Sequence, residues 1–485
     1  RGGNVDPVKQ FDVAVVGGGP GGYVAAIRAA QLGAKVALVE KGRVGGTCLN
    51  VGCIPTKALV ATAETLVAAR RGATLGVAGS LSLDLAQALG HKDAVVAQMV
   101  GGVEHLLAAH GVELFRGSGR LIDARTVAVD TEGVILQLAM SRGVILAPGS
   151  VPTPPPFAGS HLRGILDSTA ALKLAEVPRR LVIVGGGVIG VEFASVYSAF
   201  GSSVTVLEYL PTLLPGFDAD LGRRLQLAFR RGGIAVQTRS KVEAILEGAP
   251  LVVRGAGPRG SFEVEADAVL VATGRRPATE GLGLEEAGVR TEREAIQVDG
   301  RLETSLPGVY AVGDAVGGAM LAHRAMAHGR LAAENLLGGD RRMDEDAVPG
   351  CVFSIPEVAS VGLTLAEAER RGLAAQEVSF PFSSNGRALA TGEAFGEAKL
   401  VCAPGGGRVL GVHLIGPHAS DLILEGSLAV RLGLTAADLA DTVHPHPTYG
   451  EALMEAALGC RGSMIHHLKA SAGPTATSSA GRGRD

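Results

Sequence analysis

The sequence predicts an α/β fold in which one strand–turn–helix–strand unit is used twice, followed by a separate α+β domain toward the C-terminal end. Two observations carry that expectation. The apolar run Phe11–Val16 leads into Gly17-x-Gly19-x-x-Gly22, an Ala-rich stretch to Leu32, and a second apolar run that ends at Glu40. The same order returns at Leu181–Val184, Gly185-x-Gly187-x-x-Gly190, a stretch through Phe200, and a run that ends at Glu208. Short apolar runs closed by glycine fit buried parallel strands, and the Ala-rich stretches fit the helices between them.

In each unit the glycines permit a tight turn and a close approach of the backbone to a pyrophosphate at the helix N-terminus. A carboxylate about twenty residues on can then accept from ribose hydroxyls. One such motif alone can be a plain turn. Two of them, each with strand, helix and acid in place, predict two Rossmann-like dinucleotide-binding domains. Glu208 repels a 2′-phosphate and is followed by Tyr209 and Leu210, neither cationic, so the second site is expected to take NAD and not NADP.

The rest of the chain is consistent with this reading. Its 485 residues are too many for one core and suggest about three or four domains. With 47% apolar and 19% charged residues it has the composition of a well-buried globular protein. A net charge of −3 without a basic block argues against nucleic acid or an anionic membrane as partner. No apolar run approaches the roughly 18–20 residues of a membrane span, and no secretory pattern opens the chain, so a cytoplasmic location is expected. The Pro148–Pro156 stretch reads as a connection. We expect a first dinucleotide domain over 1–150, a second over 151–279, a central segment over 280–347, an interface domain over 348–470 and a disordered tail over 471–485.

The five cysteines are too few for a secreted disulfide scaffold, and only Cys48 and Cys53 are close in sequence. On one regular helix their Cα atoms would be about 8–9 Å apart, beyond the ~7 Å limit for a disulfide. A bond between them requires a distorted turn, which Gly52 would permit, ahead of a helix starting near Pro55. A cysteine at a helix N-terminus has a lowered thiol pKa, as redox chemistry needs. Zinc binding, which lacks a second ligand pair here, and two inert buried thiols are the alternatives. No metal is expected.

The segment GGTCLNVGCIPTKAL resembles the active-site segment of the pyridine-nucleotide disulfide oxidoreductases, class I. The resemblance extends over nearly the whole chain, through GGGVIGVEFASVYSAFG, TSLPGVYAVGDAVGGAMLAHRA, VFSIPEVASVGLT and HPHPTYGEALMEAA. It implies FAD in the first dinucleotide domain and NAD in the second. Cys48 would be the thiol that exchanges with substrate and Cys53 the one facing the flavin, with Lys57 and Glu192 near the flavin N5. Asp314 would bind the ribityl chain, and Met320, Leu321, Ala322 and His323 would open the helix aimed at the pyrimidine side of the ring. Gly119, Ala147, Gly149 and Ser150 match further FAD contacts, and Val242 and Gly274 match positions lining the NAD site. His446 matches the acid–base residue and Glu451 its carboxylate, a pairing suited to moving a proton to and from a thiol. A histidine beside prolines is otherwise often a surface-turn residue, and His444 is read as structural.

The resemblance further implies a homodimer whose His–Glu motif serves the other subunit. The implied substrate is dihydrolipoamide on a lipoylated acyltransferase or a glycine-cleavage carrier protein, because no lipoyl-domain-like extension precedes residue 11. A glutathione-type reductase, which favours NADP, a mercuric reductase, which needs a C-terminal cysteine pair, and a scaffold subunit are the rival readings. Two departures stand out. Tyr449-Gly450 replace the family's more frequent Leu-Ser, which would alter the lip of the substrate channel, and Pro148 replaces Thr or Ala beside the flavin, which would shift the backbone there. From Glu208, kcat/KM for NAD should exceed that for NADP by orders of magnitude in steady-state assays. Comparable values would overturn the NAD reading.

Overall fold

The structure is a computed structural model that describes residues 8–468; the tail expected over 471–485 lies outside the described residues. The chain forms two compact units, Arg1–Ser360 and Val361–Asp485.

The first unit is founded on the strand Lys9–Val16. It pairs in parallel with Val36–Glu40 on one side and Val134–Leu146 on the other, with Val13 opposite both Val36 and Gly143. Glu113–Arg116 extends the parallel edge beyond Val36–Glu40. Val309–Ala311 adds to the far end of Val134–Leu146 in parallel, so the central segment returns to complete the first sheet. Side chains alternate between two cores. Val13, Val15, Val36 and Leu38 enter one, while Ala14, Val16, Ala37 and Val39 enter the other. A register irregularity between Phe11 and Val13 turns Phe11 to the side of Ala14 and Val16. Burial on both faces explains why these strands read as unbroken apolar runs.

The second sheet is parallel throughout, in the order Ala235–Gln237, Ser203–Leu207, Arg180–Val184, Ala268–Val271, Ile165–Leu166. The helices expected after each glycine turn occupy Pro20–Gln31 and Val188–Phe200. Part of the proline-rich connection turns out to be ordered differently from the expectation. Ser150–Pro152 is a short strand, antiparallel to Arg275–Pro277, and proline is tolerated because both strands stop there.

Gly46–Leu75 contains an 18-residue stretch long and apolar enough for a membrane span, with a mean hydropathy of 1.3, contrary to the reading that no run comes near one. It is two helices, Gly46–Val51 and Cys53–Gly72, broken at Gly52. Its Lys57 is ion-paired to the neighbouring Val188–Phe200 helix, so we read it as a core element.

In the second unit, Gln376–Pro381, Glu397–Cys402 and Val409–Gly416 form an antiparallel set, with Gln376 opposite Cys402 and Glu397 opposite Ile415. The helices Ala419–Leu432 and Glu451–Cys460 pack on these strands.

The Pro20–Gln31 helix crosses Ala322–Leu336 closely enough that a Cβ at Gly329 would stand 2.1 Å from Gly21 O. Gly329→Ala should therefore cost about 1–3 kcal/mol in denaturant unfolding. Gly101→Ala, in the Leu85–Ala109 helix with open space around its Cβ, should gain about 0.5–1 kcal/mol. Equal effects at the two positions would contradict this packing.

Candidate active site

The two glycine turns repeat one geometry. Gly17 and Gly185 have φ of 104° and 111°, and a Cβ would lie 2.1 Å from Ala147 O at the first and 2.3 Å from Ala272 O at the second. A Cβ at Gly22 or Gly190 would meet the carbonyl oxygen of Gly17 at 1.7 Å or Gly185 at 2.0 Å. The middle glycines differ. A Cβ at Gly19 finds nothing nearer than Gly46 Cα at 3.9 Å, and one at Gly187 finds nothing within 4 Å. Each is the N-cap of its helix, without a side-chain cap. Open space over uncapped N–H groups is the cradle a pyrophosphate fills.

Glu40 accepts from the Gly18 N–H at 2.6 Å and the Gly42 N–H at 2.7 Å. Glu208 accepts from the Gly186 and Leu210 N–H groups, both at 2.6 Å. Each carboxylate staples its own loop and keeps lone pairs for ribose hydroxyls.

The cysteines sit at the break between the two short-range helices. Cys48 lies inside Gly46–Val51, and Cys53 is the first residue of Cys53–Gly72, two residues ahead of the expected start at Pro55. Gly52 is required by crowding, since a Cβ there would stand 2.8 Å from Thr47 O. Both are free thiols, in hydrogen-bond contact with each other. The bond from Cys48 draws the Cys53 thiol down to about 7; burial opposes this, Lys57 assists and Glu192 opposes. Cys48 is pushed upward by that same bond and by burial. Cys53 is thus the thiolate of the pair.

One turn along, Lys57 Nζ donates to both carboxylate oxygens of buried Glu192 at 2.9 Å. Glu192 also accepts from the Phe353 N–H at 3.0 Å, and the ammonium lies 4.5 Å from the centre of the Phe353 ring. Phe353 went unremarked in the sequence, where only its place in VFSIPEV marked it.

Ser150 Oγ–H donates to Asp314 at 2.5 Å, and Arg275 donates to Ser150 Oγ at 2.8 Å and to its carbonyl at 2.7 Å. Arg275 lies within electrostatic reach of Asp314 and Cys53, and sequence reasoning missed it as well. Ala147 N–H donates to Val16 O at 2.7 Å and Gly149 O accepts from Ala278, so the loop holding Pro148 is tied to both flanking strands. The Gly313–Val316 turn that carries Asp314 is fixed from behind. Fully buried His328 accepts from the Gly313 N–H at Nδ1 (3.3 Å) and donates from Nε2 to Glu345 (3.1 Å), while Arg324 grips both oxygens of Glu345. Burial, helped by Arg324, pushes the His328 pKa down and keeps it neutral, as this bonding requires.

Met320 precedes a helix that begins at Ala322, with Leu321 as an N-cap that offers no side chain to its first turn. His323 donates to Pro349 O at 2.6 Å. Two of the expected contact positions are packed by protein. A Cβ at Gly119 would meet Val16 Cγ1 at 2.8 Å, and Val242 is buried in a cluster with Phe157, Val182 and Leu207. Gly274 has φ 123° and its carbonyl accepts from Thr153.

In the second unit His446 Nδ1–H donates to Glu451 at 2.8 Å, leaving Nε2 for a substrate; the side chain is 77% exposed. Glu451, first residue of its helix, also accepts from the Thr448 N–H at 2.8 Å. Burial raises its pKa, but the bonds from His446 and Thr448 outweigh it and hold Glu451 below the ordinary carboxylate value. His444 pairs with Glu425 at 3.0 Å, and that bond raises its pKa. Tyr449 does not face outward. It is buried, donates to Glu393 at 2.9 Å, pairs with Thr391 at 2.7 Å and leans on the His418 ring, so its substitution for Leu is absorbed inside this unit.

A doubled dinucleotide cradle with a thiol pair between defines a nucleotide-linked disulfide oxidoreductase. Residues 11–329 match the pyridine nucleotide-disulphide oxidoreductase family and residues 348–457 its dimerisation domain; the chain belongs to this family. It is 44% identical to dihydrolipoyl dehydrogenase of Thermus scotoductus, over 95% of this chain and all of the relative, and 43% identical to that of Geobacillus stearothermophilus, over 94% and 97%. Among solved structures it is similar to LpdA from Mycobacterium tuberculosis (TM-score 0.85, 29% identity, 93% of this chain and 99% of that one). The HOCl-induced flavoprotein disulfide reductase RclA from Escherichia coli is similar too, with a TM-score of 0.81 and 30% identity over 92% of this chain and 99% of that one. The family uses FAD and NAD, and the cradles and carboxylates here fit them.

In the reduced protein, alkylation of Cys53 followed by peptide mapping should rise with pH through a midpoint of about 7. Lys57→Ala should move that midpoint up and Glu192→Gln should move it down, because the two charges act on the thiolate in opposite senses. Shifts of the same sign would refute this electrostatic account.

Proposed function

We propose that this protein oxidises dihydrolipoyl groups carried on a partner protein and passes the electrons to NAD. The observation that carries the proposal is the Cys48–Cys53 thiol contact at a helix N-terminus, one turn from the Lys57–Glu192 pair. Its relatives named dihydrolipoyl dehydrogenase, matched over nearly their full length, support the choice of substrate.

In the working cycle Cys48 and Cys53 begin as a disulfide. His446 Nε2, held by Glu451, takes a proton from one substrate thiol, and the thiolate attacks Sγ of Cys48. The Cys48–Cys53 bond breaks and Cys53 leaves as a thiolate, stabilised by the helix N-terminus and Lys57. The second substrate thiol then loses its proton and closes on the first sulfur, and the bond to Cys48 breaks. Of the two substrate protons, one leaves on the Cys48 thiol while the other stays on His446 and is released to solvent. When bound, FAD would supply the two-electron link between the Cys53 thiolate and NAD. Lys57 and Glu192 keep a fixed charge pair beside that transfer, with Phe353 holding both. Asp314, steadied by Ser150 and Arg275, would accept from the ribityl hydroxyls. The Gly17–Glu40 cradle would hold FAD and the Gly185–Glu208 cradle NAD.

His446 is assigned to the Cys48 of the partner subunit in a homodimer. In support, the Ala419–Leu432 helix exposes Leu424, Leu428 and Leu432 along one stripe, and Val443 near His446 is 92% exposed, an apolar surface that calls for a cover. The lipoylated partner is an acyltransferase or a glycine-cleavage carrier protein, and the location is cytoplasmic.

His446→Ala should lower dihydrolipoamide oxidation by about 10²–10⁴-fold while leaving reduction of the flavin by NADH nearly intact. A heterodimer of His446→Ala with Cys48→Ser should regain about half of wild-type activity, because one shared site is then whole. No recovery, with subunit exchange confirmed, would overturn the shared site; loss of flavin reduction by NADH in His446→Ala would overturn the proton-shuttle role.

A further inference from the structure

A second pair of thiols lies in the C-terminal unit, away from any role assigned above. Cys402 ends the strand Glu397–Cys402 and is fully buried, and Cys460 ends the helix Glu451–Cys460 and is 4% exposed. Neither is in a disulfide, and the Cys460 thiol is in hydrogen-bond contact with Cys402. One amide nitrogen locks the two segments together. Gln376, directly across the strand pair from Cys402, donates from Nε2 to Cys402 Sγ at 3.5 Å and to the Cys460 carbonyl at 2.7 Å. The helix end reaches the sheet because its penultimate residue is Gly459, where a Cβ would stand 2.6 Å from Val378 Cγ1.

We propose that Cys402 and Cys460 are a second oxidisable dithiol, which closes to a disulfide under hydroperoxide and staples the far end of the helix that begins with Glu451. The Cys460 thiol and the Gln376 amide both donate toward Cys402, which favours its thiolate and makes it the attacking sulfur. That thiolate attacks one oxygen of hydrogen peroxide; the O–O bond breaks, a Cys402 sulfenic acid forms and hydroxide leaves as water. Cys460 then attacks the Cys402 sulfur and the S–O bond breaks. The departing oxygen leaves as a second water with the Cys460 proton. Two thiols and one peroxide give one disulfide and two waters, a two-electron oxidation that needs neither FAD nor NAD. The route in is the end of the helix, since Cys460 is its last residue and terminal turns open most readily.

A disulfide here closes the chain from the end of the Glu397–Cys402 strand to the end of the helix, so it restricts the unfolded state and steadies the support of Glu451. The reduced full-length holoenzyme should be treated with hydrogen peroxide, alkylated in denaturant, digested without reduction and mapped by mass spectrometry. The expected result is a Cys402–Cys460 linked peptide beside the Cys48–Cys53 one, with a thermal midpoint raised by about 5–10 °C. Peroxide should not raise the midpoint of Cys460→Ala. Recovery of Cys402 and Cys460 as separately alkylated peptides after Cys48–Cys53 is fully oxidised would overturn the proposal. So would a link from either to Cys351. Because the mapping uses the unmutated protein, it decides the matter even if Cys460→Ala folds poorly.

Discussion

The Lys57–Glu192 ion pair is the interaction on which the rest of the first unit depends. Lys57 stands on the helix that Cys53 begins, and Glu192 on the helix that follows the second glycine turn. Their bond joins the thiol-bearing helix of one dinucleotide half to the phosphate-facing helix of the other. Glu192 is almost wholly buried, and such a carboxylate is stable only when its oxygens are satisfied. The ammonium and the Phe353 N–H satisfy them. Losing either partner would leave the buried carboxylate short of a donor, which costs far more than an exposed pair contributes. The ring beneath the ammonium makes the arrangement directional as well as neutral.

Much of this was legible in the sequence, and the reason is local. The glycine turns and the broken helix at Gly52 are set by residues a few positions apart, and each carboxylate follows its turn at a regular interval of about twenty residues, so spacing alone reports them. His446 and Glu451 are legible for the same reason. What spacing cannot report is a partner from a distant segment. Phe353 comes from far along the chain to cap Glu192, and Arg275 reaches Ser150 only because two proline-edged strands pair. His328 is set behind Asp314 by a helix that folds back on its own turn. Cys402 and Cys460 look unrelated until strand pairing and helix packing bring Gln376 to both.

Burial is a second property that spacing does not report. Tyr449 sits close after His446 in the chain, yet its ring is drawn inward by Glu393, Thr391 and His418. Val242 is packed by an apolar cluster and Gly119 by the valines beneath it. The apolar Gly46–Leu75 stretch reads like a membrane span by composition because its helices are core elements that also carry the chemistry. Composition reports the wish to leave water and not the destination.

The stapling of the second glycine turn bears on how cofactor preference could be redesigned. Glu208 would do two jobs with the same two oxygens: it ties down the Gly186 and Leu210 amides, and it is the carboxylate proposed for the ribose hydroxyls. Exchanging it for a cation to welcome a phosphate would therefore also unfasten the loop that shapes the cradle. A successful switch has to supply new acceptors for those two amides along with the new charge, which places preference for one nucleotide behind a barrier of at least two coordinated substitutions.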